Sequence, residues 1–297
     1  AAELRRDDVS VVSNPGFLRE GSAVADFLKP DRVVIGSDDR AAALDTAELY
    51  SSLNAPIMIT DPASAETIKY ASNAFLATKL SFINAVAAVC EAVGADVADV
   101  VTGMGYDTRI GREFLRPGPG WGGSCFPKDT LAMVRIAADA GYDFGLLKGV
   151  VEVNDQQFDR VVDKIRRGVA GPLEGATVAL WGLTFKARTD DLRDSPALEV
   201  AERLSKAGAK VVAYDPTVEP GRSDPSLESV QVTATALEAV TGADVLAVMT
   251  EWDQFRWVDL GEVAEAMSGA TVIDGRNLLN PTDVRAAGLR YDGIGRS

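Results

Sequence analysis

Thr177-Val-Ala-Leu-Trp181, then Pro196-Ala-Leu-Glu-Val-Ala-Glu-Arg-Leu-Ser-Lys-Ala207, then Lys210-Val-Val-Ala-Tyr214 read as strand, helix and strand. Two short apolar runs joined by a helical crossover make a parallel pair, because a tight turn cannot return the chain to the same end. The alternation continues with a helix at 234–240, a strand at 245–248, a helix at 260–267 and a strand at 271–274. From residue 171 to 297 the expectation is therefore a doubly wound, Rossmann-like α/β domain.

Working back from it, the preceding block reads as helical. A capping turn at Asp61-Pro62-Ala63-Ser64 opens a long helix that runs to Val93 and stops at Gly94. Further helices are expected at 97–104, at 127–140, where Pro127 suits a first turn, and at 144–169. The opening has strand-like runs at 9–13, 31–36 and 56–60 and a helix at 41–53. Three strands and one helix cannot cover both faces of a parallel sheet, so a preceding α/β portion, or one from another chain, is expected to complete it. The domain reading is thus 1–62, 63–170 and 171–297.

The bulk composition narrows the function. A chain of 297 residues with 46% hydrophobic content is long enough for about two cores. Its formal net charge of -14 opposes sequence-independent binding to nucleic acid or to an anionic membrane surface, so an anionic ligand needs locally placed Arg and Lys. Neither a signal-peptide pattern nor an uninterrupted apolar run of about 18 residues is seen, and a cytoplasmic protein is expected. The two cysteines, Cys90 in an apolar helical run and Cys125 in a glycine-rich turn, do not suggest a disulfide framework. Histidine is missing altogether, which removes Ser-His and Cys-His dyads and imidazole metal ligands. No metal is expected.

Chemistry concentrates in a few loops. In Gly118-Pro-Gly-Trp-Gly-Gly-Ser-Cys-Phe-Pro-Lys-Asp129, Cys125 stands just before a helix and near Lys128, surroundings that favour a thiolate and hence a nucleophile. The bland alternative, a glycine turn with an incidental cysteine, has about even weight on this motif alone. Asp129, one turn on, can orient water or a neighbour, or simply favour the helix dipole. Lys69 and Asn73 are four apart on one helix face, suited to holding an oxyanion and a water; a surface Lys69–Glu66 pair is the competing reading. Glu20 is a site carboxylate or one half of an ion pair, and Arg109 and Arg116 are diphosphate ligands or solvated arginines. The segments 181–193 and 274–276 follow strands of the last domain, at the end where open α/β sheets bind ligands.

In this order the segments NPGFLREG (14–21), AETIKYASNAFLATK (65–79), DTRIG (107–111), GWGGSCFPKD (120–129), FKARTDDLRDSPA (185–197) and DGRN (274–277) resemble the UDP-glucose 6-dehydrogenase group of the UDP-glucose/GDP-mannose dehydrogenase family. The resemblance runs from about Val9 to Arg276. It implies a remnant of an NAD-binding Rossmann-like domain, a central helical dimerisation region and a UDP-sugar-binding Rossmann-like domain. It implies NAD as cofactor and a two-step oxidation of UDP-glucose to UDP-glucuronate, a precursor for polysaccharide biosynthesis, through a Cys125 thiohemiacetal and thioester. Lys69 would stabilise alkoxide-like states, and Asn73 and Asp129 would place water. Substrate contacts would fall to Phe17, Leu18, Arg116, Trp121, Gly122, Phe185, Lys186 and Arg276, with Arg109 reaching a neighbouring subunit's site. Glu20 and Arg193 would lie on the cofactor side. The long helix would build a homodimer.

Two departures bear on activity. Gly16 stands where the family has a glutamate implicated in proton transfer and thioester hydrolysis, a role Glu20 could take over. The dinucleotide fingerprint and its ribose-binding acid are not found in the chain. The competing readings are a catalytically silent UDP-sugar-binding dimer and a dehydrogenase of GDP-mannose or UDP-N-acetylmannosamine.

Overall fold

The computed structural model describes residues 9–296. The chain divides into two compact units, with the division between Phe75 and Leu76 inside the longest helix.

The first unit contains α1 (Ala23–Leu28), β1 (Val33–Gly36), α2 (Arg40–Glu48), β2 (Ile57–Thr60) and the start of α3 (Pro62–Val93). Strands β1 and β2 pair in parallel, Val33 opposite Ile57 and Gly36 opposite Thr60. A small core of Val33, Ile35 and Ala43 gathers Val12, Ala47 and Tyr50 around it. Asp39 caps α2 by accepting from the N–H groups of Ala41 and Ala42. The expected strand at 9–13 does not form: only Ser13 bridges Gly36, antiparallel, and Val9 and Val11 are exposed. A β-rich run becomes a strand only when a neighbouring strand takes its backbone groups and an apolar layer takes its side chains; here Val9 and Val11 are exposed, and only Ser13 makes a ladder bridge. Helix α1 was not expected, and the 41–53 helix ends at Glu48, followed by three-residue turns through Leu53.

The second unit holds the rest of α3, then α4 (Val97–Gly105), α5 (Phe126–Asp139) and α6 (Gly145–Gly168), within about two residues of the expected bounds. The sheet domain follows: β3 (Thr177–Trp181), α7 (Pro196–Lys206), β4 (Lys210–Tyr214), β5 (Gln231–Val232), α8 (Ala236–Val240), β6 (Val245–Val248), α9 (Leu260–Ala266), β7 (Thr271–Asp274), α10 (Pro281–Ala286) and β8 (Arg290–Gly293). All its strand pairs are parallel, in the order β5-β4-β3-β6-β7-β8. That is the order of dinucleotide-binding sheets, with the reversal point between β3 and β6. Strands β5 and β8 and helix α10 complete it beyond what was expected from the sequence.

Alternation along the strands sorts the core into two layers. Val178, Leu180, Val211, Val245 and Ile273 face α6 and α7, meeting Val161, Ile165 and Leu204. Ala179, Trp181, Val212, Leu246 and Val272 face the other way, toward Ala239, Val263 and Val284. Ile83, Ala87 and Cys90 of α3 join the first layer, so the central helices and the sheet share one core. Lys164, 4% exposed, pairs with Glu91 and Asp292 and so ties α6 to α3 and β8.

Helix α3 also corrects the reading of its hydropathy. An 18-residue window with mean hydropathy 1.5 makes it long and apolar enough to cross a membrane by length and composition. It shows no unbroken apolar run because Ser81 and Asn84 interrupt it. Both are buried against this chain's own polar groups: Ser81 Oγ donates to the Val150 carbonyl, and Asn84 Oδ1 accepts from the Gly118 N–H.

Candidate active site

The loop before α5 is built by glycines that leave no room for side chains. A Cβ on Gly122 would lie 1.7 Å from the Asp194 carbonyl oxygen, and one on Gly123, where φ is 81°, would lie 2.7 Å from the Phe185 ring. Neighbouring helices fix the loop through buried amides. Asn154 Oδ1 accepts from the Trp121 N–H at 2.8 Å and its Nδ2 donates to the Trp121 carbonyl at 3.0 Å. Gln157 Nε2 donates to the Gly118 carbonyl, and Trp121 Nε1 donates to Ser81 Oγ. Buried polar groups satisfied on both sides rigidify what they join. Ser81, Asn84, Asn154 and Gln157 were not singled out in the sequence, although two polar pairs spaced by three on otherwise apolar helix faces were a usable signal.

This scaffold delivers Cys125 to the N-cap of α5, half-buried and free of any disulfide, with Ser124 Oγ 3.6 Å from its sulfur. The sulfur makes no capping hydrogen bond to the first-turn N–H groups of α5. Cys90, by contrast, is 4% exposed in the hydrocarbon layer. Lys128, expected as the neighbouring cation, donates its ammonium to Asp129 Oδ1 at 2.7 Å, and the Asp129 side chain is buried.

The loops after the sheet strands meet this loop. Gly123 N–H donates to the Arg193 carbonyl and Phe185 N–H to the Asp191 carbonyl. Lys186 Nζ stands 5.3 Å from the Phe185 ring centroid. Arg276 Nε donates to the Met249 carbonyl, its Nη2 donates to the Phe185 carbonyl, both at 2.8 Å, and Glu251 is 3.1 Å away. Arg276, expected as a ligand-facing arginine, joins the loops that follow β3 and β6, and its Nη1 faces Gly118. Asp274 receives the Arg276 and Leu279 N–H groups, and burial, opposed by those bonds, pushes its carboxyl up. Arg193 is held by Asp191 at 2.9 Å, and Arg109, 87% exposed, by Asp107, whose hydrogen bond raises the guanidinium further. Arg116 is exposed.

In the first unit, Phe17 is flanked by the Arg32 guanidinium 3.9 Å from its ring centroid and by the Lys69 ammonium at 5.5 Å. Asn73, one turn beyond Lys69 on α3, is buried; Leu18 is exposed and Glu20 half-buried. Parallel β1 and β2 suit a nucleotide-binding layer, but Asp39 already fills the start of α2. Among the described residues of this unit, no glycine-rich helix start cradles a dinucleotide diphosphate.

Three family models match in succession: the NAD binding domain of the UDP-glucose/GDP-mannose dehydrogenase family over residues 1–54, its central domain over 63–156 and its UDP binding domain over 179–281. A UDP-glucose 6-dehydrogenase of Rhizobium meliloti is 46% identical over 97% of this chain and 67% of its own length. The chain belongs to the UDP-glucose/GDP-mannose dehydrogenase family. A Bacillus subtilis UDP-glucose 6-dehydrogenase is 46% identical over 99% of the chain but only 64% of its own length, so the chain spans about two thirds of such relatives. Among solved structures, a UDP-glucose dehydrogenase of Pyrobaculum islandicum superposes with TM-score 0.87 at 38% identity, covering 97% of this chain and 64% of that one. A UDP-D-ManNAc dehydrogenase of Pyrococcus horikoshii gives TM-score 0.83 at 26% identity, covering 98% and 66%. Different sugar branches of the family thus share this fold, and NAD is the cofactor that the 1–54 match implies.

Proposed function

We propose that the protein takes part in the NAD-dependent oxidation of UDP-glucose to UDP-glucuronate, with Cys125 as covalent nucleophile. The observation that carries this reading is a half-buried sulfur at the start of α5, on a loop clamped by buried amides and packed against the strand-end loops of the UDP-binding sheet. NAD, when bound, supplies the acceptor for the hydride removed in each of the two oxidations. Cys125 sulfur would add to the C6 aldehyde carbon to give a thiohemiacetal, whose loss of hydride in the second oxidation would leave a thioester, and water would then break the C–S bond to release the acid and return the thiol. Lys69 would hold negative charge on the C6 oxygen, and Asn73 and Asp129, with Glu20 as the proton acceptor, would place the water. Phe17, Leu18, Trp121, Gly122, Phe185, Lys186, Arg116 and Arg276 would shape the substrate's surroundings, Arg109 would act on a neighbouring subunit, and Arg193 would touch the cofactor. In this reading residues 1–62 belong to the NAD-binding domain, 63–170 to the dimerisation domain and 171–297 to the UDP-sugar domain.

Calorimetric titration with UDP-glucose and with NAD, followed by an NADH assay, tests the reading. Cys125→Ser is expected to leave UDP-glucose affinity within about twofold and to lower acid formation by roughly 10⁴. Weakened affinity with acid formation retained removes Cys125 from the nucleophile role.

The homodimer is proposed on helix α3, where Phe75, Phe82, Val89 and Val93 are exposed at close to heptad spacing. A sedimentation mass of one chain under dilute conditions argues against it. A second reading, a silent UDP-sugar-binding dimer, is favoured by Gly16; tight UDP-glucose binding without NADH formation selects it. Action in the cytoplasm belongs to the same proposal.

A further inference from the structure

A carboxylate at the end of the second strand of a sheet with this strand order ordinarily faces the ligand and binds ribose hydroxyls. Here that residue is Asp215, directly after β4, and it is 1% exposed. Its Oδ2 accepts from Leu183 N–H at 2.8 Å, Thr184 N–H at 3.1 Å, Thr184 Oγ1 at 3.2 Å and Trp252 Nε1 at 3.1 Å. Its Oδ1 accepts from the Thr217 N–H and Oγ1 at 2.9 and 2.8 Å. Every acceptor direction of the carboxylate is therefore taken by the protein itself, and little capacity is left for a sugar hydroxyl.

The loop so held is locked from two other sides. Thr250 Oγ1 donates to the Thr184 carbonyl and Ser195 Oγ to the Leu183 carbonyl, both at 2.6 Å. Gly182, at φ 95°, brings the loop so close to Thr250 that a Cβ would lie 2.3 Å from that side chain. The next residue, Phe185, lays its ring on Gly123 of the Cys125 loop and gives its carbonyl to Arg276. Asp215 thus sits one loop away from both the nucleotide-sugar contacts and the nucleophile.

We propose that Asp215 is a positioning residue: by holding the 183–184 backbone and the Trp252 indole, it fixes Phe185 and Lys186 in the geometry that receives the nucleotide sugar. The proposal rests on the reading of this domain as UDP-sugar-binding. Three measurements on the full chain test it, with Asp215→Ala, Asp215→Asn and, should either fail to fold, Trp252→Phe, which removes one donor and keeps the carboxylate. Amide hydrogen exchange at Leu183 and Thr184 should quicken about tenfold or more in Asp215→Ala and be partly restored in Asp215→Asn, which keeps one oxygen for the loop. UDP-glucose affinity should fall about tenfold or more in Asp215→Ala and about threefold in Trp252→Phe. Exchange at Val272 and Ile273 of β7, away from the 183–184 loop, should stay within about twofold of the parent, a control that general unfolding would not pass.

Unchanged exchange at Leu183 and Thr184 overturns the proposal. So does quickened exchange with undiminished UDP-glucose affinity. A parent chain with no affinity for UDP-glucose defeats the functional reading instead, and exchange then still decides whether Asp215 holds the loop.

Discussion

The two parallel sheets of this chain are made of similar strands and differ in what covers them. In the first unit β2, Ile57-Met-Ile-Thr60, leaves Ile57, Met58 and Ile59 exposed, while in the second unit every residue of β6, Val245-Leu-Ala-Val248, is buried. Hydrophobic strands form in both places. Burial depends on neighbours: β6 is paired on both edges and has helices on both faces, whereas among the described residues β2 pairs only with β1. The difference separates a sheet that carries its own core, and with it a rigid site, from one whose core holds three buried side chains.

Truncation in each core gives the sharpest test. Leu180→Ala in β3 removes a side chain that is fully buried and should cost about 2–5 kcal/mol, lowering the main transition in differential scanning calorimetry. Ile35→Ala in β1 is equally buried, yet should lower only the transition of the first unit, near the low end of that range, because the small core relaxes around the gap. A common loss in one transition breaks the comparison.

A smaller effect is expected at the clamp of the Cys125 loop. Asn154→Ala leaves the Trp121 N–H and carbonyl without their buried partner and should cost about 1–3 kcal/mol. Exchange of the Trp121 amide should quicken, with the exchange of β1 unchanged. Movement in β1 would mean that the units are less separate than their cores suggest.

Gly16→Glu probes the chemistry of the first unit. A Cβ there meets only Leu18 Cγ at 3.9 Å, so a side chain can start there without a clash, and the rate of acid release should rise about tenfold if a carboxylate at this position assists thioester hydrolysis. An unchanged burst and steady-state rate would leave that task with Glu20.

The smallest effect has opposite signs in the two units. In the first, Arg19 and its hydrogen bonds hold Asp26 well below its ordinary 3.8, so the stability this group adds is present above pH 3.8 and is lost as pH falls below it. In the second, burial raises Asp274 above its ordinary 3.8, so its ionised form opposes folding at higher pH, and acidification through its raised pKa relieves that cost. Thermal scans between neutral pH and pH 3 should therefore show the first unit's transition falling relative to the second. Parallel movement of the two transitions would remove this contrast.

Much of the second unit was legible because local pattern and final structure agree there. Strands β3, β4, β6 and β7 lie within the runs read from the sequence, since five or so apolar residues beside a helical crossover have one way to be buried. The Cys125 position was legible because Pro127 fixes a first helical turn. The 9–13 run was misread because Val9 and Val11 have strand propensity but no covering layer. The strand-end place of Arg276 is visible in the chain, whereas its partners, the Met249 and Phe185 carbonyls, are far from it in sequence.

The sequence by itself determined the strand and helix alternation, the helix start that carries the sulfur and the family to which the chain belongs, all of which are encoded in short-range pattern and turn chemistry. Only the tertiary structure decided that Asn154 and Gln157 hold the Cys125 loop, that Lys128 turns to Asp129, and that Asp215 spends its oxygens inside the protein. The physical reason is that hydrogen-bond partners are chosen by distance and burial after the core has packed, and residue order alone does not carry those distances.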